Sequence, residues 1–119
     1  MRVLVVDDNA DLRETLQLLL VRAGYEAETA RDGEEAMRMH LRHGFQALVT
    51  DIYMPRSDGL ETIQAFRLLS PRMRIIAMSG GGDVAKGSYL AVAAEAGADA
   101  TLEKPFAIEV LLAALNTGN

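Results

Sequence analysis

Five polar side chains stand where short apolar runs stop. Asp7 and Asp8 follow Val3–Val6, Asp51 follows Gln46–Thr50, Ser79 follows Met73–Met78, and Lys104 follows Asp99–Glu103. Three carboxylates gathered at one place repel each other by several kcal/mol at low effective dielectric, so such a site needs a counter-charge. A hard divalent cation supplies it, and Mg²⁺, which takes one or two carboxylates with waters and phosphate oxygens, fits better than a caged Ca²⁺. Lys104 adds a compact positive charge and Ser79 a hydroxyl donor. A carboxylate, a metal, a lysine and a hydroxyl together can move a phosphoryl group onto the carboxylate. Each piece has a plainer use: Asp7-Asp8-Asn9 as a helix cap, Asp51 as a turn residue, Ser79-Gly80-Gly81-Gly82 as a flexible turn, Lys104 as a solvated charge. Against the last stands the composition, with ten arginines and only two lysines, Lys86 and Lys104. The joint arrangement outweighs the separate alternatives.

Positioning these residues requires alternating strands and helices. Val3–Val6 is a β-branched run of the kind found in strands buried on both faces. Leu12, Leu16, Leu19, Leu20 and Ala23 recur at helical spacing, and Gly24 closes that segment. The alternation continues with strands at Tyr25–Ala30, Gln46–Thr50, Met73–Met78 and Asp99–Glu103. Between and after them, helices are expected from Asp32 (an N-cap) to about His43, Leu60–Leu69, Ala85–Ala96 and Ala107–Leu115. Five strand–helix units with short loops predict an α/β fold, one doubly wound parallel sheet flanked by five helices. In such sheets ligands bind beyond the carboxyl ends of the strands, where the five polar residues fall. An order 2-1-3-4-5 would put strand 2 at an edge and the other four ends around one crevice.

The composition narrows the function classes. The 119 residues carry 12 Lys+Arg against 17 Asp+Glu, a formal charge of −5, and are half apolar. That is one domain, spanning 1–119 without a linker, able to bury roughly 65% of its unfolded surface. The absence of cysteine excludes disulfides, a redox thiol and a thiolate zinc site. Net acidity without a basic run argues against nucleic acid as the main partner. No apolar run approaches membrane-spanning length, and the amino terminus meets acid at Asp7 too early for a secretory signal, so a cytoplasmic protein with no membrane partner is expected. Other motifs fail: Leu12 and Leu18 replace the Gly and Glu of a calcium loop begun at Asp7, and no phosphate-binding glycine motif is complete. His40 and His43, three apart, lack a metal-binding pattern and are expected on or near the surface.

The assembled motifs resemble the receiver domains of response regulators in two-component signalling. They are Val3-Leu4-Val5-Val6-Asp7-Asp8-Asn9, Asp51-Ile52-Tyr53-Met54-Pro55-Arg56-Ser57-Asp58-Gly59, Met78-Ser79-Gly80, Gly97-Ala98-Asp99 and Lys104-Pro105-Phe106, and they span essentially the whole chain. The resemblance implies the flavodoxin-like strand order 2-1-3-4-5. It implies that Asp51 accepts phosphate from a phosphohistidine on a sensor histidine kinase or histidine phosphotransfer protein. Asp7, Asp8, Asp51 and the backbone carbonyl of Tyr53 would hold Mg²⁺, with Asp8 favoured as the direct ligand of the first pair. Lys104 and Ser79 would pair with phosphoryl oxygens, the backbone at Ile52 and Gly80 would line the phosphoryl site, and the Lys104–Pro105 bond would be cis. Tyr53 and Gly81 would control water access and so the lifetime of the phosphoryl group. Such a domain is a switch rather than a turnover enzyme. It would act through a downstream protein partner or output domain, none being expected in this chain, and could form a homodimer through helix 4, strand 5 and the apolar helix 5.

Two departures from the family pattern stand out. Thr101 occupies the switch position, three before the lysine, where the family usually has an aromatic residue; helix 4 and its loop, with Tyr89 as reporter, are expected to carry the switch instead. The interval from Ser79 to Lys104, 25 positions, is longer than usual, with the surplus near Gly80–Ser88. Three rival readings are a non-phosphorylated interaction module, a flavodoxin-like cofactor binder and a small Asp-nucleophile phosphatase. The intact acidic, hydroxyl and lysine set disfavours the first. Asp7-Asp8, where a cofactor phosphate would sit, disfavours the second, and Tyr53 in place of a second aspartate disfavours the third.

Overall fold

A computed structural model describes residues 1–52, 59–80 and 86–116, with the side chains of all of these except 86–90. Its elements are β1 (Arg2–Val6), α1 (Ala10–Arg22), β2 (Glu26–Ala30), α2 (Gly33–His43), β3 (Ala47–Asp51), α3 (Gly59–Leu69), β4 (Arg74–Ser79), α4 (Lys86–Ala96), β5 (Ala100–Glu103) and α5 (Ile108–Asn116). The strands form one parallel sheet in the order β2-β1-β3-β4-β5, as expected. Element ends fall within about one or two residues of those read from the apolar pattern, the usual uncertainty of helix and strand termini.

Local chemistry explains those ends. Asn9 caps α1, its side chain accepting from the Leu12 N–H at 3.2 Å, and Asp32 caps α2, accepting from Glu35 N–H at 2.8 Å. Helix α1 stops before Gly24, whose φ of 99° lies in the left-handed region that side chains disfavour. Gly97, at φ 126°, closes α4 in a similar way.

The sheet is covered on both faces. Leu4, Val6, Leu48, Ile75 and Ala77 pack with Ala36 of α2, Ile63 and Phe66 of α3 and Ala93 of α4. On the other face Val3, Val5, Val49, Ile76 and Met78 meet Leu16 and Leu20 of α1 and Leu111 and Leu115 of α5. The central strands β1, β3 and β4 are therefore almost wholly buried, which is why they read as continuous apolar runs. One face of α5 meets the sheet as anticipated, while Val110 remains 47% exposed. Among the described residues no helix is long and apolar enough to cross a membrane.

Two polar side chains fasten the end of the sheet opposite the acidic residues. Arg67, from the last turn of α3, donates to the carbonyls of Pro71, Met73 and Gly97 and to Asp99, whose carboxylate also accepts from the Ile75 N–H. His43 is exposed as expected, but His40 is drawn further in. Its Nδ1 accepts from the Phe45 N–H at 3.0 Å, so Nε2 carries the proton and donates to Ser70 Oγ at 2.8 Å.

Burial pushes the His40 pKa below its ordinary value. The unfolded chain then binds a proton at a higher pH than the folded one, so this contribution to stability is present above the unfolded pKa of about 6.5 and is lost as pH falls from there through the lower folded value. Urea midpoints should decline between about pH 7 and 5.5 in the natural protein, and the decline should flatten in His40→Gln. Identical pH profiles for the two proteins would contradict the partly buried, neutral assignment.

Candidate functional site

The parallel register carries the polar residues to one end of the sheet. Val6 lies opposite both Ala30 and Thr50, Asp51 opposite Met78, and Ser79 opposite Glu103. Asp7 leaves β1, Asp51 ends β3, Ser79 ends β4 and Lys104 follows β5, so all four meet over the middle of the sheet. Strand β2 lies at the edge, and its terminal Asp32 is committed to capping.

Asp7, Asp8 and Asp51 each offer a carboxylate oxygen within 4.8 Å of the others. Their environments differ. Asp7 and Asp51 are buried, at 1% and 6% exposure, whereas Asp8 is exposed. Asp7 is held from several sides: Oδ1 accepts from the Asn9 N–H at 2.9 Å, Oδ2 from Lys104 at 2.7 Å, and its backbone carbonyl from Arg13 at 2.8 Å. The capping role thus falls to Asn9 alone, leaving both aspartates to the crevice.

Lys104 Nζ lies between two buried carboxylates, 2.7 Å from Asp7 Oδ2 and 3.1 Å from Asp51 Oδ2. Burial by itself would lower the lysine pKa; the hydrogen bond to Asp7 and the negative charges of Asp51 and Asp7 outweigh it, and the net shift is upward. Lys104 is therefore an ammonium at neutral pH. Its backbone N–H donates to the Ser79 carbonyl at 2.8 Å, tying the loop after β5 to the end of β4, and the Lys104–Pro105 bond is cis, as the resemblance implied.

Ser79 is buried, and among the described residues its hydroxyl makes one long contact, 3.5 Å, with the Gly80 carbonyl. Among the described residues, a methyl group placed on Gly80 would meet nothing within 4 Å. The Ile52 N–H points into the sheet and donates to Met78 O at 3.0 Å. Thr101 lies on β5 opposite Ala77, partly buried. Tyr53, Gly81 and the side chain of Tyr89 lie outside the described residues. Sequence reasoning gave no role to the supporting residues Arg13, Thr50 and Gly59, whose contacts are tertiary, although Gly59 closes the motif that begins at Asp51.

A doubly wound α/β domain with an acidic crevice and a partly buried lysine at the carboxyl ends of its strands is the class that fold and site define. The chain belongs to the response regulator receiver domain family, whose model matches residues 3–116. Response regulator MprA of Mycobacterium leprae (strain TN) is 42% identical over 113 residues, covering 95% of this chain and 48% of that protein. The chain thus spans about half the length of the curated relatives it matches. Among solved structures, the chemotaxis protein CheY4 of Vibrio cholerae aligns with a TM-score of 0.84 and 33% identity over 96% of this chain and 94% of its own. A response regulator from Burkholderia pseudomallei, solved with a phosphorylated aspartic acid, calcium ion and citrate, aligns with a TM-score of 0.86 and 33% identity, covering 98% of this chain and 66% of its own. Membership places the chain among the signalling domains of two-component systems.

Proposed function

We propose that residues 1–119 act as a phosphoacceptor switch in which Asp51 takes a phosphoryl group from a phosphohistidine donor with Mg²⁺. The observation that carries this reading is the contact of one ammonium with two buried carboxylates, Asp7 and Asp51, beside the exposed Asp8. Three carboxylates against one ammonium leave two negative charges, which one divalent cation would cancel. All the donors are hard oxygens, matching Mg²⁺. The phosphorylated aspartic acid of the Burkholderia relative supports an aspartyl phosphate here, and its calcium ion supports a divalent cation.

Asp7, Asp8, Asp51 and the Tyr53 carbonyl would hold the ion. Bound there, it would neutralise charge and polarise the phosphoryl oxygens. The side chains do the rest. An Asp51 carboxylate oxygen forms a bond to phosphorus as the donor's N–P bond breaks, and the electron pair leaves with the imidazole nitrogen. Lys104 exchanges its contact with Asp51 for a phosphoryl oxygen, while the Ser79 hydroxyl and the Gly80 N–H reach others. Because Asp51 is nearly enclosed, little water competes as nucleophile, and Tyr53 and Gly81 set how much reaches the product. The phosphorylated state then biases the surface of α4, β5 and α5, where Val92 and Val110 are exposed, toward a protein partner or a second copy. A cytoplasmic histidine kinase or phosphotransfer protein would be the donor.

Incubation with acetyl phosphate and Mg²⁺ should phosphorylate the natural protein stoichiometrically, and EDTA or Asp51→Asn should abolish the product. Equal labelling of the natural protein and Asp51→Asn would sink the assignment.

A further inference from the structure

We propose that Thr50 is a positioning residue for Asp51, acting through the backbone of the residue that receives phosphate. The inference rests on the reading of Asp51 as phosphoacceptor. Thr50 is fully buried in the central strand β3, which otherwise presents Ala47, Leu48 and Val49 to the core, and its cross-strand neighbours are Val6 and Ala77. Valine has nearly the same shape and would suit such surroundings. The hydroxyl is the costly part, because burying one is unfavourable unless it is hydrogen-bonded.

That hydroxyl donates to the backbone carbonyl of Asp51 at 3.0 Å. The N–H of the same peptide unit, belonging to Ile52, donates to Met78 O at 3.0 Å. A peptide unit is planar, so fixing its carbonyl and its N–H fixes the whole plate. Its orientation sets the Asp51 backbone torsion and thereby the direction in which the carboxylate leaves the strand toward Lys104, 3.1 Å from Oδ2. Gly59 lies against the same Asp51 carbonyl and limits its movement from the α3 side. Thr50 is therefore the side-chain member of a cage around the Asp51–Ile52 peptide, and it touches neither the phosphoryl group nor the metal-binding oxygens. Misplacing a reacting atom by about 1 Å can slow a positioned reaction by about a hundredfold.

The test is the initial rate of phosphorylation by acetyl phosphate at saturating Mg²⁺ in the full chain, comparing the natural protein with Thr50→Val and Thr50→Ser. Thr50→Val, which keeps the volume and removes the hydroxyl, should be slower by about tenfold, and Thr50→Ser, which keeps the hydroxyl, should stay within about twofold of the natural protein. Rescue by serine is what a packing role would not produce, since serine removes the methyl group. Should Thr50→Val fail to fold, Thr50→Ala is judged against Thr50→Ser in the same way. Normal labelling of the natural protein with an equal rate in Thr50→Val overturns this role alone, as does an equal loss in Thr50→Val and Thr50→Ser. A natural protein that takes no label at Asp51 overturns the phosphoacceptor reading, and this role with it.

Discussion

Lys104→Met is expected to lower the melting temperature in metal-free buffer by about 10 °C and to make what remains strongly dependent on Mg²⁺. The lysine side chain is only 20% exposed and is the counter-ion of Asp7 and Asp51, whose side chains are 1% and 8% exposed. Removing one partner of a buried pair leaves an uncompensated charge, at a cost of about 3–5 kcal/mol. Here two carboxylates are left facing each other; the partial exposure of Lys104 argues for the lower end, about 3 kcal/mol. At about 4 °C per kcal/mol for a domain near this size, that gives the stated shift. A divalent cation that binds only the folded state would restore stability by mass action, so the variant should gain more from millimolar Mg²⁺ than the natural protein does. Differential scanning calorimetry with and without Mg²⁺ checks both parts. A variant that melts with the natural protein in both buffers would contradict the electrostatic account of the crevice.

Gly59→Ala should be about as damaging for a steric reason. Gly59 begins α3 and packs onto the backbone at the end of β3. A methyl group there would run into the Asp51 carbonyl oxygen and the Ile52 Cα, and would lie 2.8 Å from the Ile52 carbonyl carbon. Backbone atoms in a paired central strand cannot move aside as a flexible side chain can, so overpacking of about 3 kcal/mol is expected, with a melting temperature lower by about 10 °C. The displacement bears on Asp51 itself, so the fraction that remains folded should also label more slowly with acetyl phosphate. Gly33→Ala is the useful comparison. The three atoms nearest a methyl group there all belong to the Thr62 side chain rather than to backbone, and a smaller loss with normal labelling is expected. Natural stability in Gly59→Ala would mean that α3 does not press on the strand as described.

Most of the fold was legible because its signals are local. The apolar runs of β1, β3 and β4, the Asp32 cap and the stop at Gly24 each act within a few residues, and the polar residues that end the strands mark one rim of the sheet. The same reasoning found Asp7, Asp8, Asp51, Ser79 and Lys104, since residue type and strand end coincide. It could not divide the work between Asp7 and Asp8. That depends on Lys104 arriving 97 residues later to take Asp7 Oδ2, and on Asn9 rather than either aspartate capping α1. His40 looked like a surface residue because its partners, Phe45 and Ser70, come from a loop and from the end of α3. Thr50 carries no pattern and Gly59 only its place at the end of the Asp51–Gly59 motif; what gives both a role is the Asp51 carbonyl oxygen they approach.

Borohydride trapping tests directly whether the carboxylate of Asp51 becomes an acyl phosphate. The natural protein would be phosphorylated with acetyl phosphate and Mg²⁺, reduced with borohydride, digested and sequenced by mass spectrometry. Reduction of an aspartyl phosphate leaves homoserine at the modified position. Homoserine at position 51, dependent on both Mg²⁺ and the phosphodonor, is the predicted result. Homoserine at another aspartate, with position 51 recovered as aspartate, would contradict it.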